Sequence, residues 1–146
     1  MTALALALAV LLTVIAALHA YWGVGGVWPG TDEASCARAI AGFKGITTMP
    51  STGASFAVAA ALVFALLVAL ALGGWFAAPF GRIQLAGMAL VIGAIFLARG
   101  VIGYLPFWRR LTPEQPFADR DRLYYSPFCV LVGAGFLALS IQGFAA

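Results

Sequence analysis

Four long stretches of the chain carry apolar side chains at nearly every position, over about 3–22, 54–76, 83–105 and 123–144. Arg99 is the one charged residue inside them. Each has roughly the 20 residues needed to cross a hydrocarbon layer about 30 Å thick at about 1.5 Å of rise per residue. Backbone groups in lipid must be satisfied within their own segment, so such stretches are helices. Membrane barrel strands would alternate in polarity, and these do not. The pattern predicts an all-α integral membrane four-helix bundle, a single membrane domain over 1–146, with a short interfacial segment before the fourth helix.

A competing reading makes the first stretch a secretory signal. A signal has a positive leader and an apolar core of about 7–15 residues. Here no charge precedes His19, the run is longer, and Tyr21, Trp22 and Trp28 follow as a membrane-interface cluster. Punctuation agrees with the boundaries. Pro50-Ser51-Thr52-Gly53 offers N-cap hydroxyls to the second helix, Gly73-Gly74 ends it, and Gly81 precedes the third. Ser126-Pro127 reads as an N-cap with proline at the first helical position, leaving 117–125 as a separate interfacial piece. The alternative is one helix from about Asp121, kinked at Pro127. The second stretch repeats small residues at Gly53, Ala57, Ala61, Ala65, Ala69 and Gly73. Such a ridge lets helices approach closely in lipid and predicts that this helix makes the tightest contact. An abundance of alanine is the plainer explanation.

Composition narrows the class further. The chain is 64% hydrophobic and 9% charged, against about 45–50% and about 25% in soluble domains. This excludes an ordinary soluble enzyme, a nucleic-acid binder, a disordered tail and a disulfide scaffold. The net charge of +3 comes from scattered arginines, not from a basic face. Segments 23–53 and 106–122 fall on one side of the membrane and hold six Lys and Arg, against Arg82 alone on the other. That asymmetry predicts a cell-membrane protein with its two longer loops in the cytoplasm and both termini outside.

Candidate chemistry gathers at the loop-bearing end. Arg99 lies six residues before Leu105, roughly 9 Å inside the expected helix end. An arginine in hydrocarbon costs about 2.5–3.5 kcal/mol and usually turns inward to a partner. Asp121, at the entrance to the fourth helix, is the preferred one, with snorkelling to the headgroups as the competing outcome. His19 suits a relay, a ligand contact or plain packing on Trp22. As the single histidine it excludes bis-histidine haem ligation and any multi-histidine metal site. Tyrosines and tryptophans here are ordinarily belt residues. Recognised hydrolase, phosphate-loop and C-x-x-C motifs are missing, and Gly23-Val-Gly-Gly follows a membrane helix, not a strand. Cys36 and Cys129 stay reduced if this end is cytoplasmic.

These residues resemble a bacterial family of small four-helix membrane proteins catalogued as a domain of unknown function. The resemblance runs through His19-x-Tyr21-Trp22, Gly25-Gly26, Trp28, Arg99 and Gly103, then Phe117-x-x-x-Asp121 to Tyr125-Ser126-Pro127-x-Cys129. It implies a four-helix membrane protein with these residues at one end, and no reaction, substrate or cofactor.

Two functions remain from the residues. The first is a pocket lined by His19, Tyr21, Trp22, Arg99, Tyr104, Asp121 and Tyr125, binding a small amphipathic or anionic ligand or lipid, with no catalytic group or cofactor assigned. The second is a structural or accessory subunit, a homo-oligomer or a piece of a larger membrane complex. A transporter needs polar groups near the midplane, where this chain is bare.

Overall fold

The ends of the apolar helices are set by capping groups close to the expected positions. The computed structural model describes residues 2–145, so Met1 and Ala146 of the expected domain lie outside the described residues. In chain order the elements are α1 (Thr2–Gly23), α2 (Glu33–Ile40), α3 (Thr52–Leu72), α4 (Arg82–Ile102), α5 (Pro106–Leu111), α6 (Phe117–Arg120), a π-helical turn (Asp121–Tyr125) and α7 (Ser126–Ala145). The described residues are all-helical, and α1, α3, α4 and the segment Phe117–Ala145 are long and apolar enough to cross a membrane. The Ser51 hydroxyl accepts from the Ala54 N–H at 3.2 Å and caps α3.

Two spans end earlier than their apolar runs. α3 stops at Leu72 because Gly73 caps it and Gly74 turns at φ +78°. α4 stops at Ile102, short of Leu105, and Pro106 then starts α5 at its first position. Proline disfavours helical geometry in the residue before it, and Leu105 is extended at φ −77°, ψ 141°. The chain through Pro127 resolves the alternatives left open by sequence. Phe117–Ala145 is one helical path, and its π turn closes with the Ser126 N–H donating to the Asp121 carbonyl. Pro127 lacks an N–H and its ring would press on the carbonyl four residues back. A locally widened turn accommodates that.

The four long apolar helices form two closely packed antiparallel pairs, α1 with α3 and α4 with α7, and the pairs meet more loosely along α3–α4 and α1–α7. Leu12, Val132, Phe136 and Leu139 fill the centre with almost no exposure. Phe96 stacks on Phe136 with ring centroids 6.3 Å apart. Outward faces are equally apolar, as at Val10, Val91, Ile95, Leu131 and Ile141.

The small-residue ridge faces the bundle only in part. A four-residue repeat drifts by about 40° per step on a helix of about 3.6 residues per turn. Ala65 and Ala69 are buried while Gly53, Ala57 and Ala61 face outward. The backbones of α4 and α7 also approach closely, at glycines outside that ridge. A methyl group at Gly93 would lie 3.0 Å from the Gly133 carbonyl oxygen, and one at Gly133 only 2.8 Å from the Leu97 nitrogen. The buried Ser140 hydroxyl donates to the Ala86 carbonyl across the same interface at 2.8 Å.

Gly133→Ala should therefore lower stability by about 1–3 kcal/mol through overpacking, and Ala65→Leu should do likewise. Ala61→Leu, on the outward face, should change stability by less than about 0.5 kcal/mol. Thermal unfolding of the detergent-solubilised protein reads this; equal losses for Ala61→Leu and Gly133→Ala would contradict the assignment of faces.

Candidate functional site at the loop-bearing end

The site is organised around a carboxylate that has left water. Asp121 begins the π turn and is 3% exposed. Its Oδ1 accepts from Arg99 Nη2 at 2.7 Å and from the Ser126 hydroxyl at 3.3 Å. Its Oδ2 accepts from the Trp108 indole N–H at 3.0 Å. Charge-assisted bonds to an ionised group are the strong kind, and here they come from three elements, α4, α5 and α7. The Arg99 guanidinium carbon also sits 5.2 Å from the Trp108 ring centroid, over its face.

Local sequence explains how these groups meet. Arg99 occupies the last turn of α4, nearer the helix end than the apolar run implied, where a cation complements the helix dipole. Gly103, the next cap, leaves room for the carboxylate: a methyl group there would stand 3.0 Å from Asp121 Oδ2 and would collide with the Ser126 hydroxyl. The π turn brings Ser126, five residues on, beneath Asp121. A cavity of about 10 Å3 remains beside Gly103, Trp108, Thr112 and Asp121, room for a single water.

One donor in this arrangement has no acceptor. Arg99 Nη1 is buried and without a hydrogen-bond partner among the described residues, although the side chain as a whole is 33% exposed. A buried unsatisfied donor is costly, more so when charged.

The seven candidates separate into groups. Arg99 and Asp121 form the ion pair. Tyr104 is exposed and donates from its hydroxyl to the Arg122 carbonyl at 3.1 Å. Tyr125 packs on Phe117 and donates to the Ala39 carbonyl at 3.2 Å, tying the π turn to α2. His19, Tyr21 and Trp22 belong to a second cluster on α1. There the His19 Nδ1–H donates to the Ile15 carbonyl at 2.9 Å, and the ring meets Trp22 edge-on at 5.0 Å. The Trp28 carbonyl takes the Trp22 indole N–H at 2.7 Å and the Cys36 thiol at 3.6 Å. Burial pushes the Cys36 thiol above its ordinary pKa, with the Gly30 backbone bond opposing. Asp32, capping α2 through Ser35, is held below its ordinary value by that hydrogen bond. Of the seven candidates, only Asp121 lines the small cavity.

Trp108 and Ser126 complete the shell of Asp121. Sequence marked both, but as a belt residue and an N-cap; nothing in their spacing pairs an indole with a carboxylate thirteen positions away.

The profile of a family described as "Protein of unknown function (DUF3995)" matches residues 12–136. No curated protein and no solved structure matches the chain.

Trp108→Phe removes one bond to a buried carboxylate and should cost about 1.5–3 kcal/mol. Tyr104→Phe, at an exposed hydroxyl, should cost less than about 1 kcal/mol. Thermal melts of the two variants compare them directly, and a Tyr104 loss as large as that of Trp108 would shift the centre of the site outward.

Proposed function

We propose, for a chain that belongs to the family described as "Protein of unknown function (DUF3995)", that it is a multi-pass membrane protein binding an anionic amphiphile at its loop-bearing end. The headgroup would sit on Arg99. The observation that carries this reading is the buried Nη1 with no acceptor. A cation normally directs all its donors to oxygens, and a phosphate or carboxylate oxygen from outside the chain supplies the missing one. One third of the Arg99 side chain is exposed, and a headgroup entering there would have to part the groups that cover Nη1. Trp108, whose ring lies against Arg99, adds aromatic surface beside it, and Tyr104 and Tyr125 would extend that surface, which suits an amphipathic molecule. His19, Tyr21 and Trp22 would shape the neighbouring α1 side of the mouth.

The excess of Lys and Arg in the two longer loops supports a cytoplasmic location for this end, with the termini outside. Cys36 is fully buried and a poor reporter of that orientation. Thr47→Cys is exposed and serves instead, in a background with Cys36→Ala and Cys129→Ala. An impermeant maleimide should leave it unlabelled in intact cells and label it once they are opened; rapid labelling from outside reverses the orientation.

A second reading, an accessory subunit, is favoured by an open apolar groove of about 230 Å3 between α3 and α4 at the opposite end, lined by Phe64, Leu67, Phe76, Phe80 and Met88. A partner helix or a second copy of this chain would fit such a surface.

Native mass spectrometry of the detergent-extracted protein separates the two. The ligand reading expects a retained anionic amphiphile on the wild type and its loss from Arg99→Gln with Asp121→Asn, which removes the cation without leaving an orphan carboxylate. Equal retention by that double variant would place the ligand elsewhere. A lipid-free wild type in stoichiometric assembly with another membrane protein favours the accessory role.

A further inference from the structure

Beyond Arg99, the loop-bearing end carries a second patch of exposed cations and exposed apolar side chains. It is built from α5 and the turn after α2. The Lys44 N–H donates to the Leu111 carbonyl at 3.1 Å, and the Glu114 N–H donates to the Gly42 carbonyl at 3.1 Å. Phe43 meets Trp108 edge-on, with centroids 6.1 Å apart. These bonds hold two loops, far apart in sequence, as one surface anchored to Trp108.

That surface presents Lys44, Arg109 and Arg110, all exposed. None of the three has an ion-pair partner among the described residues. The nearby carboxylate, Glu114, is already committed to the Gly45 N–H at 2.8 Å. Among the cations stand Phe43, Phe107 and Leu111, exposed to 42%, 57% and 48%. An exposed apolar edge beside unpaired cations is the composition of a surface that lies in a membrane interface. Its depth fits: α5 starts at Pro106, directly after the spanning helix α4 ends at Ile102.

We infer that Lys44, Arg109 and Arg110, held together by the bonded loop and α5, form a binding site for the headgroups of anionic phospholipids in the leaflet at this end. Phe107 and Leu111 enter the acyl boundary while the two guanidinium groups and the ammonium meet phosphate oxygens. Arginine forks match phosphate geometry, and lysine adds a mobile point charge. Each basic residue near an anionic surface contributes about a fivefold gain in partitioning, so three contribute about a hundredfold. The site uses side chains other than Arg99, with Arg109 also bordering the small cavity beside Asp121 and Trp108, and it stands whether or not the preceding proposal does.

The test uses the full chain in phosphatidylcholine nanodiscs with and without phosphatidylglycerol, reading retained phosphatidylglycerol by native mass spectrometry and the melting temperature at low and high salt. The wild type should retain the anionic lipid and melt higher in its presence, with the gain shrinking as salt screens it. The triple variant Lys44→Gln, Arg109→Gln, Arg110→Gln should bind it about a hundredfold more weakly. Lys44→Arg should keep wild-type binding. The three side chains have no partners to lose, and if the triple variant fails to fold, each single change should still weaken binding about fivefold. Undiminished binding by the triple or single variants overturns the proposal. If Arg99→Gln with Asp121→Asn alone abolishes it, the anionic lipid belongs to Arg99 and the basic patch serves topology only.

Discussion

A carboxylate that leaves water must meet a cation and further donors, and the loop-bearing end of this protein is arranged around that need. Asp121 is almost completely buried. Its two oxygens receive Arg99, Ser126 and Trp108, so three separate elements converge on one side chain. A carboxylate so placed is stable only while its cation stays. The pair is weak evidence for stability as such, since apolar groups of equal volume often do as well. Its consequence is geometric. Trp108 fixes α5, Phe43 rests on Trp108, and the loop from Gly42 to Gly45 bonds to α5 and Glu114. The position of the loops thus follows from the pair.

The pair in turn requires the close packing of α4 on α7. Gly93 and Gly133 let those backbones approach, and Gly103 leaves the space that Asp121 and Ser126 occupy. The π turn that Pro127 demands also sets Asp121 above Ser126. Helix ends, glycines and proline act together here. The α1–α3 pair follows its own logic, with its polar end closed by Trp22, Trp28 and Cys36. Because the two pairs meet loosely, the His19 cluster and the Arg99 cluster lie on separate elements with separate hydrogen-bond networks.

Much of this was legible in the chain. Runs of apolar residues set the four spans, since lipid leaves the backbone no other choice. Arg99 stood out because a charge in such a run needs a partner, and Asp121 was the acid nearest to a helix entrance. What sequence could not supply was angular. The ridge from Gly53 to Gly73 has the right spacing, yet only Ala65 and Ala69 are buried, because a repeat of four winds around the helix. The seven candidate residues are grouped by a common membrane level, which carries no information on which of them bond to one another; only the Arg99 and Asp121 side chains are joined directly. Trp108 looked like any interfacial tryptophan; its role follows from α5 being turned back by Pro106. The π turn left only the ambiguity at Pro127 as its trace.

Arg99 and Asp121 are energetically coupled at this end of the bundle, and a double-mutant cycle on unfolding measures that coupling. Removing one member of a buried pair commonly costs about 3–5 kcal/mol, because the other charge is left uncompensated. Arg99→Gln, which orphans the buried Asp121, should destabilise the protein on that scale, and Asp121→Asn, which leaves a guanidinium whose side chain is 33% exposed, by less. The double variant should recover a substantial part of the summed loss, with a coupling of more than about 1 kcal/mol. Strictly additive losses would contradict the claim, leaving Arg99 as an interfacial residue and Asp121 as a carboxylate held by Trp108 and Ser126 alone.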